Sequence, residues 1–144
     1  SETARSFTVM GDTVNQASRL EAVNKVYGTR LLIDHETFSR AGKAFETRQI
    51  DDVQVVGRLE PLRIYELVAL AGEVVPDRRR AFDLYEEGLD HYRVAEWNAA
   101  EKALQATLEL MPNDGPTKTL LTRIAQFRQV APKDWSGVWS MTSK

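Results

Sequence analysis

The chain contains no cysteine. Disulfides and thiolate metal sites are therefore excluded, and the composition fits a cytoplasmic protein. Histidine is scarce as well. His35 and His91 are the only two, and their separation has no ligand-like spacing, so both read as structural or exposed. Charge of one sign is not in excess: 19 basic residues stand against 21 acidic ones, a formal charge of −2. That balance gives no electrostatic reason to expect nucleic acid or an anionic membrane as a partner. No apolar run approaches the roughly 20 residues of a membrane span, and no signal-peptide pattern opens the chain. What is present is ordinary: 144 residues, 42% hydrophobic and 28% charged, enough for one domain or two small ones. The chain starts at Ser1 without an initiator methionine, which suggests a piece of something longer.

Two periodicities divide it. Residues 1 to 70 alternate helix and strand, an α+β pattern with helices on one face of an antiparallel or mixed sheet. Ser6-Phe7-Thr8-Val9 reads as a strand end and Gly11-Asp12 as a turn. Asp12 or Thr13 caps a helix that runs to about Tyr27, where Gly28 supplies a stop. Leu31 to Asp34 is a short buried strand, and His35 to Arg40 a brief helix ending near Gly42. Phe45 to Val56 and Leu62 to Val68 form a hairpin around the turn Gly57-Arg58-Leu59-Glu60-Pro61. Gly, Pro and charge between residues 71 and 79 mark a linker. Beyond it strand signals vanish. Helical spacing runs from Ala81 to Val94, from Asn98 to Met111 and from Thr117 to Val130, the last with Leu120, Leu121, Ile124, Ala125 and Phe127 on its apolar side. Trp135 and Trp139 make the end too apolar for a free tail, so it is expected to dock on a neighbouring surface.

The segment from Phe7 to Glu21 carries the most chemistry. Asn15 and Arg19 are four residues apart at the start of a predicted helix, roughly 40° apart around its axis. Val14, Ala17 and Leu20 take a neighbouring apolar face, which leaves the amide and the guanidinium outside the core. A planar guanidinium suits an anionic group such as phosphate. On spacing alone, a solvated face with an incidental basic residue is the better reading.

Val9-Met10-Gly11-Asp12-Thr13-Val14-Asn15, followed by Ala17, Arg19 and Leu20, resembles the signature V-x-G-x-x-V-N-x-A-x-R-L of class III nucleotidyl cyclases. Asn24 to Ile33 resembles that family's helix-to-strand passage, and Val55 to Leu67 its closing hairpin. The three stretches stand in the family's order over about residues 5 to 68. The resemblance implies the C-terminal half of a ferredoxin-like cyclase catalytic domain over residues 1 to 70. In such enzymes two metal ions and residues from two catalytic domains cyclise a nucleoside triphosphate. Carried over, Asn15 orients the ribose and Arg19 stabilises charge at the α-phosphate and leaving group. Thr8 takes the base-reading place, where threonine implies ATP. Arg58 is a candidate triphosphate contact, because Val56 holds the place where the family usually carries a lysine. The strands bearing the metal aspartates lie before the motif in the family, and only seven residues precede Thr8 here. No metal ligand is therefore expected in this chain. Mg or Mn, ATP and a homodimer are expected of a parent adenylate cyclase, with this fragment inactive alone.

Residues 80 to 144 resemble a tetratricopeptide (TPR) unit through Gly88, Tyr92, Trp97, Ala100, Leu104, Leu108 and Pro112. That resemblance implies a small all-α unit, docked tail included, able to hold a protein partner. It leaves a second reading open, a non-catalytic interaction module. Three other features read as structural: Asp12 as a helix cap, Asp51-Asp52 as an exposed strand-edge pair that discourages aggregation, and Arg78-Arg79-Arg80 as solvated.

Overall fold

The computed structural model describes residues 20–141; Thr8, Asn15 and Arg19 lie outside them. The described chain begins with helix α1 (Glu21–Tyr27), which ends where expected. Gly28 takes a left-handed φ of 69°, and the N–H groups of Gly28 and Thr29 both donate to the Asn24 carbonyl at 2.8 and 3.1 Å. Glycine adopts that conformation without a Cβ penalty, so it closes the helix cheaply. Strand β1 (Leu32–Asp34) follows, and its last residue caps helix α2 (His35–Ala41). Asp34 Oδ1 accepts from the Thr37 N–H at 2.8 Å, satisfying one of the donors every helix start leaves open. A 3₁₀ turn (Gly42–Ala44) leads into strand β2 (Phe45–Gln54), which pairs antiparallel with strand β3 (Leu62–Leu70).

Three helices come next: α3 (Pro76–Arg93), α4 (Trp97–Leu110) and α5 (Gly115–Gln129). Helix α3 starts at Pro76 rather than at the expected Ala81, so Pro76 to Arg79 of the expected linker form its first turn. Proline suits that place, because its missing N–H would have no helical partner there. Gly88 brings α3 and α4 together: a Cβ on it would lie 2.8 Å from Leu104 Cγ and 2.9 Å from Cδ2. The chain turns between these helices through Ala95, at φ 61°. The tail does dock. Trp135 Nε1 donates to the Tyr92 carbonyl at 3.1 Å, and strand β4 (Trp139–Ser140) pairs parallel with β2. The sheet order is β1-β3-β2-β4, giving a mixed α/β architecture compatible with α+β.

One buried cluster joins the two halves. It draws Leu20, Val23, Ile50 and Ile64 from the first and Tyr85, Leu89, Leu104 and Leu120 from the helices. Helix α3 also covers the β2 edge with polar groups: Gln49 N–H donates to the Glu86 carboxylate at 2.8 Å, and the Tyr85 hydroxyl donates to the Ile50 carbonyl at 2.6 Å. A strand edge dressed this way is closed to further pairing along that stretch.

Two expectations are corrected. Asp51-Asp52 is not an exposed edge pair. Asp51 has no exposed surface, and half-buried Asp52 accepts from Arg63 at 2.8 and 3.0 Å. A backbone irregularity between Gln49 and Asp51 changes the register there, which turns Asp51 into the interior. In α5, Ala125 is exposed while Arg123 is buried. Among the described residues, no helix is long and apolar enough to cross a membrane.

Candidate functional site

Arg58 is the one predicted site residue within the described region. It is exposed at the hairpin tip, beside Val56 at 52% exposure and Leu59 at 94%. Gly57, at φ 87°, turns the chain, and the Arg58 N–H donates to the Val55 carbonyl at 3.2 Å. The Gln54 side chain reaches across the turn and donates to the Arg58 and Leu59 carbonyls, both at 3.2 Å. The backbone of the tip is pinned while the Arg58 guanidinium pairs with no other described residue. Its donors are available to an anion approaching the tip.

The other notable arginines are spent inside. Arg48 on β2 is 1% exposed. It forks onto Asp114 at 2.7 and 2.9 Å and donates to Glu66 on β3 at 2.8 Å. Asp114 in turn caps α5, accepting from the Thr117 hydroxyl at 2.5 Å and the Thr117 N–H at 3.3 Å. Burial would raise the Asp114 carboxyl, but the bonds from Arg48 and Thr117 hold it below the usual carboxylate range. Stacking of the Arg48 guanidinium 4.6 Å above the Phe82 ring and 4.8 Å from Tyr85 completes its enclosure.

A second buried cluster lies where α1, β2, α3 and α5 meet. Arg123 Nη1 donates to Asp51 at 2.8 Å, to the Tyr27 hydroxyl at 3.2 Å and to the Tyr92 hydroxyl at 3.4 Å. The Tyr27 hydroxyl donates to the same Asp51 oxygen at 2.5 Å. Trp139 lies 3.8 Å under the Arg123 guanidinium. Burial pushes the Asp51 carboxyl up, with Arg123 and Tyr27 opposing. Burial likewise pushes both tyrosine hydroxyls up, so they remain protonated, Tyr27 as a donor to Asp51 and Tyr92 as an acceptor from Arg123. A groove of about 340 Å³ opens over this cluster, lined by Val26, Lys118, Thr119, Thr122, Arg123, Gln126 and Trp139.

Sequence reasoning missed Arg48, Arg123, Tyr27 and Asp51 as a set. The available signal was a charge inside an apolar register: Arg123 stands on the same helical stripe as Leu120, Ile124 and Phe127. His35 pairs with the Tyr65 hydroxyl at 2.8 Å and His91 with Glu96 at 2.9 Å, so both are structural. Among the described residues, no group of three or more histidines and carboxylates could hold a metal ion.

Sequence comparison now relates the chain to adenylate cyclases. It is 35% identical over 126 residues to the terminal-differentiation-specific adenylate cyclase of Dictyostelium discoideum, covering 83% of this chain and 6% of that protein. It is 40% identical over 68 residues to adenylate cyclase 1 of Rhizobium meliloti, covering 47% of this chain and 10% of that protein. The adenylate cyclase of Anabaena cylindrica is 42% identical over 65 residues, 43% of this chain and 13% of that protein. The chain thus spans a small fraction of each relative's length. The 126-residue match is longer than either half of the chain, so it takes in part of both. No family model matches the chain, and no solved structure matches it.

Proposed function

We propose that the chain is the C-terminal half of a class III adenylate cyclase catalytic domain followed by a TPR-like helical extension. In the longer protein the domain converts ATP to 3′,5′-cyclic AMP and pyrophosphate. The reading is carried by the ordered motif of Val9 to Leu20, taken with the similarity to adenylate cyclases. Positioning and charge neutralisation supply most of the catalysis in such a reaction. Asn15 orients the ribose, Arg19 stabilises the developing phosphate charge, and Thr8 accepts from the adenine amino group. Arg58, exposed on a pinned turn, meets the triphosphate in place of the usual lysine. Mg or Mn bound by residues outside this chain completes the site, which forms between two copies of the protein.

The test is synthesis of cyclic AMP from Mg–ATP or Mn–ATP by the full-length protein and by residues 1–144 alone. The full-length protein makes it and the fragment does not. A full-length protein that neither binds ATP nor releases pyrophosphate refutes the reading. Val56 at the lysine place favours a second one, a non-catalytic module in which the helical extension holds a protein partner. That reading predicts no metal-dependent ATP binding, together with capture of a peptide by the helices.

A further inference from the structure

The C-terminal tail and the hairpin tip meet at one residue. Pairing of β2 with β3 ends at Val53↔Leu62, and Gln54 is paired from the other side instead, by Ser140 of β4. The Met141 N–H donates to the Gln54 carbonyl at 2.9 Å. From this peptide the Gln54 side chain crosses to the turn and donates to the Arg58 and Leu59 carbonyls. Gln54 is thus held by the tail through its backbone and holds the turn through its side chain. A terminal amide suits the task, because one nitrogen carries two N–H donors for carbonyls on consecutive residues.

The two sides of this link are unequally fixed. Residues 56–61 are all exposed, and the bond from the Arg58 N–H to the Val55 carbonyl lies within the loop. That bond shapes the turn without fixing its direction against the sheet. The tail is anchored at several points. Trp135 bonds the Tyr92 carbonyl, and Trp139 lies against the Arg123 guanidinium. Between them Gly137, at φ 83°, passes so close to α3 that a Cβ on it would lie 3.1 Å from the Arg93 carbonyl oxygen. Strand β4 is two residues long and ends beside Gln54, so its bonds orient that peptide and the direction in which the side chain departs.

We infer that Gln54 is a positioning residue for the nucleotide site: held by the C-terminal tail, it fixes the turn from which Arg58 reaches the triphosphate. The inference rests on the reading of Arg58 given above. A turn that wanders has Arg58 in reach for only part of the time, and apparent affinity falls by that fraction. The tail thereby becomes part of the nucleotide-binding unit, although it lies more than 70 residues beyond the turn it serves.

Two readouts in the full-length enzyme test it: initial rates of cyclic AMP formation over a range of Mg–ATP concentrations, and hydrogen exchange of the peptide covering residues 55–61. Gln54→Met keeps the length of the side chain and removes its donors. Met141→Pro removes the tail's N–H, whereas Met141→Ala trims the side chain and keeps that N–H. Gln54→Met and Met141→Pro each speed exchange in the turn and raise KM for ATP on the order of fivefold, with kcat within about twofold. Met141→Ala does neither. In an Arg58→Ala background the first two raise KM no further, since the placement of an absent guanidinium no longer matters. Increases that add to that of Arg58→Ala, a loss confined to kcat, no change with either variant, or equal effects of Met141→Ala and Met141→Pro overturn the inference. Failure of the Arg58 reading looks different: Arg58→Ala then leaves KM unaltered while exchange in the turn still responds to Gln54→Met, and the positioning role falls with it.

Discussion

The hairpin tip and the α1–α5 seam treat the same side chain in opposite ways. At the tip, Arg58 stands exposed on a turn whose backbone is pinned by Gln54. At the seam, the Arg123 side chain is 4% exposed and its Nη1 is shared among Asp51, Tyr27 and Tyr92. The contrast separates two uses of arginine. An exposed guanidinium on a pinned turn can recognise an anion, whereas a desolvated one bonded to buried partners fixes how elements sit together. The cost of removing each should differ accordingly, both in kind and in size.

The seam should show the largest stability effect. Arg123→Met leaves Asp51 buried without its cation and should cost about 3 to 5 kcal/mol in urea unfolding. Arg123→Met combined with Asp51→Leu should recover much of that loss, leaving the tyrosine hydroxyls as the remaining penalty. A single-variant loss indistinguishable from zero would show that the cluster does not hold the fold. The Arg48–Asp114 pair comes next, and it has a pH signature. Because the folded Asp114 carboxyl lies below the usual range, the folded state favours its charged form. That contribution is complete above the ordinary aspartate range and is lost as pH falls through the lowered value. Asp114→Asn should cost roughly 1.5 to 3 kcal/mol at neutral pH and flatten the acid limb of stability against pH. An unchanged acid limb would assign that limb to other carboxylates. Smallest of all is the tip: Arg58→Ala should leave stability within about 0.5 kcal/mol of wild type. In the full-length protein the same change should raise KM for ATP, measured by initial rates; an unaltered KM would make Arg58 a solvated turn residue.

The elements with strong local signals were legible in the sequence. Gly28 announced the end of α1 and Gly57 the hairpin turn, because each reflects a backbone preference that needs no tertiary partner. The start of α3 was displaced: Pro76 reads equally as linker or as first helical residue, and only the helix that follows decides. The buried polar clusters were not legible as clusters. Asp51 and Arg123 are 72 residues apart in the chain, and neither suggests the other until β2, α1 and α5 are brought together. The adjacent acids looked like a solvated pair because charged residues are seldom fully buried without a partner, and the partner lay in the other half. The site residues Thr8, Asn15 and Arg19 rest on motif order, and they lie outside the described residues.

Cyclic AMP synthesis by the full-length protein, with and without Arg19→Ala, tests the central claim most directly. The account predicts a working enzyme whose turnover drops on the order of 10²-fold or more when that guanidinium is removed, as for loss of a charge-stabilising donor. Equal turnover by both forms would contradict it.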